Sequence, residues 1–223
     1  MPYNDEPGPD ALLAEQIAYY RAAAAEYDSH SLQAPGGEEL VEAIESFQPA
    51  GRVLELACGR GRWTAELLRY ANEVTAVDAA PEMIALAGEH LGPDPRVQFV
   101  QADVFDWRPE ARFDVVFFGF LLSHVPEDRF DTFWSLVADS LVPGGRALFV
   151  DDGYREPHEL VFGETSHVIE RRLNDGSTYR IVKVPLRPAN LEARLRRMGW
   201  DIEVRPTSGP FLWGAGTPPR TCC

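Results

Sequence analysis

The amino-acid sequence predicts one α/β domain built around a doubly wound, mostly parallel sheet, and three observations support this fold class. First, a short apolar run at 52–57 leads into the glycine turn 58–61, and a helical pattern starts directly after it. Second, strand-like and helical patterns alternate from there to residue 151. Third, the next apolar run ends at Asp78, and a carboxylate at the tip of a second strand suits the two hydroxyls of a ribose.

Composition and charge are those of an ordinary folded domain of 223 residues, of which 45% are hydrophobic and 25% are charged. The formal net charge of −14 repels a phosphate backbone, so we expect no nucleic-acid partner. No apolar run reaches the roughly 18 residues that a membrane span needs, and the first residues lack the basic and apolar regions of a signal peptide. The three cysteines suit neither a disulfide framework nor a metal site, so we expect a cytoplasmic protein, and the sequence contains no cluster of metal ligands.

The alternating segment gives the order of the main elements. Strands are predicted at 52–57, 73–78, 96–101, 113–119 and 145–151, with helices between them at 61–71, 81–91 and 126–141. The run 115–118 is apolar throughout, which indicates a central strand that is buried on both faces. These elements predict a doubly wound parallel sheet with an antiparallel closing pair, and by analogy with Rossmann-like folds we expect the order 3-2-1-4-5-7-6 with an antiparallel last strand.

The two ends of the chain carry additional elements. Helical patterns at 11–28 and 38–47 predict an N-terminal helical segment, 1–48, ahead of the main domain at 49–223. The turn signal Asn174-Asp175-Gly176 predicts a β-hairpin insertion at about 164–185. A helix at 188–199 and strand-like runs at 201–205 and 211–215 complete the domain.

The glycine turn also indicates which nucleoside the domain binds. A dinucleotide site usually has a third glycine, and here Thr64 occupies that position. Glu55 precedes the turn, and its negative charge is a poor neighbour for a pyrophosphate but suits an amine or a sulfonium. An NAD-type oxidoreductase therefore stays the alternative from another class, and a non-catalytic binding module is a third hypothesis.

The motif Glu55-Leu-Ala57-Cys-Gly59-Arg-Gly61 resembles the first motif of the class I S-adenosylmethionine-dependent methyltransferases, with Ala57 in place of the first glycine. The resemblance covers roughly residues 50–151 and implies S-adenosyl-L-methionine as cofactor and S-adenosyl-L-homocysteine as product. By position in the motifs, it implies cofactor contacts from Glu55, Ala57, Gly59, Gly61, Asp78, Ala79, Met83, Asp103, Val104, Phe118 and Gly119, and a narrower resemblance over nearly the whole chain adds Tyr20 and Trp63.

A narrower resemblance extends over nearly the whole chain, through the segments 19–21, 26–28, 63–64, 122–130 and 175–184. They are similar to a small group of O-methyltransferases that includes a phosphonate O-methyltransferase of dehydrophos biosynthesis and a mycobacterial methylmannoside 1-O-methyltransferase. The resemblance implies O-methylation of a small polar acceptor beneath a lid formed by residues 1–48. The negative net charge favours a sugar hydroxyl, and a phosphonate or carboxylate oxygen is the alternative. A homodimer, paired through the exposed hairpin edge, is a further possibility.

Methyl transfer to a hydroxyl is assisted by a general base. His124 is the first candidate, because it follows the fourth strand at the carboxyl edge of the sheet and a neutral imidazole can accept a proton. The alternative is that His124 caps the helix starting near Pro126. Asp151, at the end of the fifth strand, is the second candidate, and an ordinary loop carboxylate is its alternative.

Acceptor contacts are predicted from His124 and from residues of the lid and the hairpin. Tyr19 and Tyr27 share the N-terminal helix with Tyr20, where a plain aromatic packing stripe is the alternative. The hairpin contributes Arg180 and Lys183, for which a solvated sheet face is the alternative. Arg171 and Arg172 on the first arm of the hairpin are interpreted as surface charges.

Overall fold

The structure is a computed structural model and describes residues 8–26 and 34–220. In chain order, its strands are β1 Gly51–Leu56, β2 Ala71–Asp78, β3 Val97–Gln101, β4 Phe113–Gly119, β5 Leu141–Asp152, β6 Val168–Arg172, β7 Thr178–Val182, β8 Asp201–Pro206 and β9 Phe211–Thr217. Its α-helices are α1 Pro9–Ala23, α2 Gly37–Phe47, α3 Arg62–Leu67, α4 Pro81–Leu91, α5 Phe130–Asp139 and α6 Pro188–Arg197.

The main sheet of the described residues has seven strands in the order β3-β2-β1-β4-β5-β9-β8. Strands β1 to β5 are parallel, and Val53 at the centre pairs with Val74 of β2 on one side and Val115 of β4 on the other. Strand β9 runs antiparallel to both β5 and β8. Counted without the hairpin, this is the predicted order 3-2-1-4-5-7-6, so the predicted fold class is confirmed.

Helices cover both faces of the sheet, which explains why the run 115–118 of strand β4 is apolar throughout. Successive side chains of a strand point to opposite faces, and Phe117 packs with residues of α2 and α3 while Phe118 packs with α5. The Phe118 ring stacks on Phe149 at 5.4 Å between centroids and meets Phe133 edge-on at 5.1 Å. Phe118 is therefore part of the core beneath the sheet.

Several element boundaries differ from the sequence-based prediction. Helix α5 begins at Phe130 rather than at residue 126, because Glu127–Arg129 forms a short 3₁₀ helix instead. Helix α3 ends at Leu67 rather than at residue 71, because β2 begins opposite β1 with Ala71 paired to Gly51 and the chain must turn before that point. Strand β5 begins at Leu141, ahead of the predicted residue 145, and it contains Gly144 at a φ of +82° where the ladder with β4 is irregular.

The predicted hairpin forms a separate two-stranded antiparallel sheet from β6 and β7. Its turn contains Gly176 with a φ of +89°, a left-handed conformation that favours glycine. Helix α1 lies against β7, where the Glu15 carboxylate accepts hydrogen bonds from the backbone N–H of Arg180 at 2.7 Å and its Nε at 2.9 Å. The hairpin and α1 thus pack together at one end of the main sheet.

We expect Phe118→Ala to lower the free energy of unfolding by about 3–5 kcal/mol, because it leaves a cavity among aromatic side chains that cannot collapse easily. Chemical denaturation measures this change. Tyr154→Ala, which removes a ring that is 54% exposed, is the control and should change stability by less than about 1 kcal/mol. Equal effects of the two substitutions would contradict the placement of Phe118 in the core.

Candidate functional site

A cavity of about 320 Å³ lies at the carboxyl ends of the parallel strands, beneath α1. Open α/β sheets bind their ligands at this edge. The walls come from α1, the glycine turn after β1, the start of α4, the loop after β3 and the segment that follows β4. The lining residues are Leu13, Gln16, Ile17, Tyr20, Ala57, Cys58, Gly59, Arg60, Arg62, Trp63, Asp78, Ala79, Ala80, Met83, His90, Asp103, Val104, Phe105, Gly119, Phe120, Leu121 and His124.

The glycine turn is held by Asp78. One carboxylate oxygen accepts a hydrogen bond from the Gly59 N–H at 2.8 Å, and the other accepts one from the Ala80 N–H at 2.9 Å. A Cβ added to Gly59 would meet no atom within 4 Å, whereas one added to Gly61 would lie 3.0 Å from the Cβ of Ala87 in α4. Gly59 thus leaves room at the cavity, and Gly61 allows close packing of the turn on a helix.

Asp78 is nine-tenths buried. Burial raises the pKa of this carboxyl, and the hydrogen bonds from Ala80, Gly59 and Ala79 act in the opposite direction. The side chain therefore pins the turn and also lies in the cavity wall, which is where a ribose-binding carboxylate is expected from the sequence.

Glu55 lies beneath the turn rather than at the cavity surface. It is 1% exposed and accepts a hydrogen bond from the Thr64 hydroxyl at 2.6 Å. Burial raises the pKa of Glu55 to about 8, the Thr64 hydrogen bond lowers it, and the negative charge of Asp78 raises it further. In the free protein this carboxyl is thus mostly protonated at neutral pH, and it does not present the negative charge that the sequence suggested.

The opposite walls of the cavity are largely apolar. Met83, which is 2% exposed, and Val104 lie on one side. Trp63 forms another wall and stacks on Phe120 with 6.3 Å between ring centroids. A Cβ on Gly119 would lie 2.5 Å from the Trp63 ring, so a glycine at the end of β4 is needed for this packing.

Ten of the thirteen predicted cofactor contacts line the cavity, namely Tyr20, Ala57, Gly59, Trp63, Asp78, Ala79, Met83, Asp103, Val104 and Gly119. Glu55 lies beneath the turn, and Gly61 faces α4 rather than the cavity. The assignment of Phe118 needs correction, because the alternation of side chains along β4 turns Phe118 into the core, and its neighbour Phe120 forms the wall instead.

His124 lies in a short 3₁₀ helix, Leu122–His124, directly after β4. Its Nδ1 is 2.6 Å from the carbonyl oxygen of Val182 in β7, and its Nε2 is 3.2 Å from the Tyr20 hydroxyl. A carbonyl oxygen can only accept, so Nδ1 carries the proton. In the neutral ring Nε2 is then the acceptor, and the Tyr20 hydroxyl donates to it.

The environment of His124 disfavours the charged imidazolium. Burial lowers the pKa of His124 well below its usual value, the positive charges of Lys183 and Arg171 lower it further, and the hydrogen bond to Val182 raises it by less. The ring is 5% exposed. His124 is therefore held neutral, with one tautomer selected by the hairpin backbone.

Asp151 and Lys183 belong to a buried network behind His124. Asp151 accepts a hydrogen bond from the Ser123 N–H at 3.1 Å, and Lys183 donates to the Ser123 hydroxyl at 3.0 Å and pairs with Asp152 at 2.7 Å. Burial raises the pKa of Asp151 to about 6, against the lowering effect of Lys183. Asp151 faces this backbone instead of the cavity, which corrects its interpretation as a catalytic base, and Lys183 reaches His124 only through its charge.

The other predicted acceptor contacts are dispersed. Tyr19 packs against the hairpin beside Tyr179, and Arg180 pairs with Glu15, so both lie away from the cavity wall. Tyr27 lies outside the described residues. Arg171 was wrongly interpreted as a surface charge: it is half-buried, pairs with Glu159 at 3.0 Å, and lies over the Tyr19 ring.

Sequence reasoning missed Gln16, which lines the cavity from α1 and is 7% exposed. Its side chain bonds the backbone of both His124 and Val182. The available signal was a polar residue four positions before Tyr20, on the same side of a helix that otherwise presents Leu13 and Ile17.

No group of three or more His, Cys, Asp or Glu side chains among residues 8–26 and 34–220 is arranged to hold a metal ion. No helix in the same ranges combines the length and the apolar character that crossing a membrane requires.

Comparison with known proteins gives consistent matches. The family described as "Methyltransferase domain" matches residues 53–145. Trans-aconitate 2-methyltransferase of Escherichia coli O139:H28 is 34% identical over 116 residues, which are 51% of this chain and 44% of that protein. The match therefore spans less than half the length of that relative.

Solved structures match over a longer range. The DhpI-SAM-HEP complex is 39% identical, with a TM-score of 0.83, and the alignment covers 95% of this chain and 100% of that one. The glycopeptide N-methyltransferase MtfA bound to (S)-adenosyl-L-methionine is 22% identical over 83% of this chain and 95% of that one, with a TM-score of 0.61, which shows a shared fold.

The buried Glu55 should make stability depend on pH. The pKa of Glu55 is 4.5 when unperturbed and about 8 in the folded protein. Between these two pH values the folded protein keeps the proton while the unfolded chain releases it. The free energy of unfolding therefore falls as pH rises through this window. Glu55→Gln removes the ionisation, and we expect its free energy of unfolding to decline less than that of the wild type between about pH 5 and about pH 8.

Chemical denaturation at the two pH values gives this difference, with Glu89→Gln, which removes an exposed carboxylate, as the control for the change in charge. Parallel pH dependences of the wild type and Glu55→Gln would show that Glu55 is ionised in the folded protein.

Proposed function

The chain belongs to the class I S-adenosylmethionine-dependent methyltransferases, and we propose that it transfers the methyl group to a carboxylate or phosphonate oxygen of a small molecule. S-adenosyl-L-methionine is the cofactor, and S-adenosyl-L-homocysteine is the product. Family membership sets aside the NAD-type alternative. The acceptor class, and oxygen rather than nitrogen as the methylated atom, are what we propose here.

The residues of the cavity fit this cofactor. The volume of about 320 Å³ falls within the range of about 300–1,000 Å³ that small-molecule sites occupy. Asp78 offers a carboxylate beside the open backbone of Gly59, and Met83 and Val104 offer apolar surfaces for a planar base. These residues would hold the nucleoside, with Tyr20 and Trp63 at the other end. When bound, the cofactor would supply a methyl group on a positively charged sulfur. An acceptor oxygen would attack the methyl carbon from the side opposite the sulfur, and the carbon–sulfur bond would break.

The observation that carries the proposal is the position of His124: its ring is 5% exposed, its Nδ1 is bonded to the Val182 carbonyl oxygen and its Nε2 to the Tyr20 hydroxyl, and burial lowers its pKa. A hydroxyl acceptor must lose a proton, and a base of low pKa is poorly suited to take it. A carboxylate or phosphonate oxygen is already ionised at neutral pH and needs no base. The structure therefore supports an acid oxygen as the nucleophile more strongly than a sugar hydroxyl.

Local charge supports the same acceptor class. Lys183 and Arg171 lie near enough to His124 to lower its pKa, although each is also paired with a carboxylate, Asp152 or Glu159. An anionic acceptor beside His124 would be attracted by these two cations. The sequence-based preference for a sugar relied on the net charge of the whole chain, which such a local field can override.

Relatives give additional support. The DhpI structure is a complex with both SAM and HEP, and trans-aconitate 2-methyltransferase is named for a substrate that carries carboxylates. The residues around His124 would then serve to align the acceptor oxygen with the methyl group of the cofactor. Tyr20 occupies Nε2 of His124, and α1 covers the cavity, so an acceptor would be positioned away from bulk water.

A methyl-transfer screen tests the proposed function. Radiolabelled S-adenosylmethionine is incubated with a panel of small carboxylates, phosphonates, neutral sugars and amines, and products are separated from unreacted cofactor. We expect label in a carboxylate or phosphonate ester, and none with Asp78→Ala, which loses the anchor of the glycine turn. Label in a sugar ether or a methylamine, with the acids unreacted, would contradict the proposal.

His124→Asn should separate an aligning role from general-base catalysis. An acid acceptor has no proton to transfer, so we expect kcat for the labelled acid to fall by no more than about tenfold, against the losses of about 10²–10⁴-fold that follow removal of a general base. Steady-state kinetics with saturating cofactor measure this, and calorimetry with S-adenosylhomocysteine is the control for cofactor binding. A loss above about a hundredfold would restore His124 as the base.

A further inference from the structure

Gln16 forms two hydrogen bonds that cross the acceptor side of the cavity. Its Nε2 donates to the carbonyl oxygen of His124 at 3.2 Å, and its Oε1 accepts from the backbone N–H of Val182 at 3.0 Å. Both bonds are buried. One carboxamide thus connects α1 to the segment after β4 and to β7, three parts of the chain that are distant in sequence.

A third hydrogen bond closes the arrangement into a ring. The Nδ1–H of His124 donates to the carbonyl oxygen of Val182 at 2.6 Å, so Gln16, His124 and Val182 each contact the other two. This last bond selects the tautomer of the imidazole. Gln16 bonds the backbone of both residues that form it, and together with the bond from the Val184 N–H to the Ser123 carbonyl oxygen at 2.7 Å it holds them at this distance.

Replacement of Gln16 by an apolar residue would leave a backbone N–H and a carbonyl oxygen buried without partners, an arrangement that folded proteins avoid. These two groups could regain partners only if Val182 moved away from His124 or if water entered. Either change would alter the hydrogen bond between the His124 Nδ1 and the Val182 carbonyl oxygen. The length of the side chain matters as well, since one carboxamide must span both partners.

We propose that Gln16 is a positioning residue that fixes the orientation and the tautomer of His124, so that the acceptor side of the site is complete only when α1 lies over the cavity. Its importance for catalysis depends on the proposed function, in which His124 borders the acceptor. Its effect on the imidazole depends on the hydrogen-bonded ring alone.

Glu15 provides a matched control on the same helix. It is the neighbouring residue and also fastens α1 to β7, through the backbone and side chain of Arg180. Its bonds involve neither His124 nor Val182. Glu15→Ala therefore loosens α1 from the hairpin but keeps all three hydrogen bonds that link Gln16, His124 and Val182.

The test is the nitrogen-15 NMR spectrum of the imidazole of His124 in the full chain at neutral pH, assigned by comparison with His124→Asn. For the wild type we expect a protonated Nδ1 and an unprotonated Nε2. In Gln16→Leu we expect loss of the hydrogen-bonded Nδ1–H signal and exchange between both tautomers, and in Glu15→Ala the wild-type pattern. Gln16→Asn, which keeps the amide but is one methylene shorter, should behave like Gln16→Leu and serves if the leucine variant does not fold.

A wild-type pattern in the Gln16 variants would overturn the inference, and so would the same loss in Glu15→Ala, since any loosening of α1 would then suffice. The spectrum requires no acceptor. If the methyl-transfer screen labels no acid while the spectra change as expected, the proposed function fails and the positioning role of Gln16 stands.

Discussion

The hydrogen bond from His124 to the carbonyl oxygen of Val182 is the contact on which the acceptor side of the site depends. It joins the segment after β4 to the hairpin and leaves Nε2 as the acceptor for Tyr20 of α1. Because the ring is buried beside Lys183 and Arg171, the contact holds a neutral imidazole. Three elements meet at this one side chain, so its protonation state and the position of α1 are physically linked.

The cofactor side is built on a different principle. Parallel strands end at the same sheet edge, and Asp78 binds backbone N–H groups on both sides of the cavity floor. Its geometry follows from the sheet itself, which core residues such as Phe117 and Phe118 stabilise from the two faces. Such a division suits a methyltransferase family in which the cofactor is constant and the acceptor varies, because the hairpin and α1 can change without disturbing the nucleoside site.

Periodicity and turn signals were enough to predict the strands, the helices and the hairpin, since each follows from local sequence, whereas the strand order and most of the cofactor wall came from the likeness to a known fold and family. The acceptor side could not be predicted in the same way. Gln16 and His124 are separated by 108 positions, and Arg171 is half-buried only because the hairpin packs against the residues around Glu159. Asp151 occupies a plausible position for a base, but the backbone of Ser123 uses its carboxylate.

The net charge of the chain disfavours an anionic acceptor, whereas Lys183 and Arg171 near His124 favour one, and charges close together in a buried site are screened less than distant surface charges. The most direct measurement is an NMR titration of His124 in the wild-type protein. A ring that stays neutral to a pH well below 6.5, the unperturbed pKa, is expected. A ring that titrates at or above that value would contradict the account, since His124 would then be a competent base facing no net positive charge.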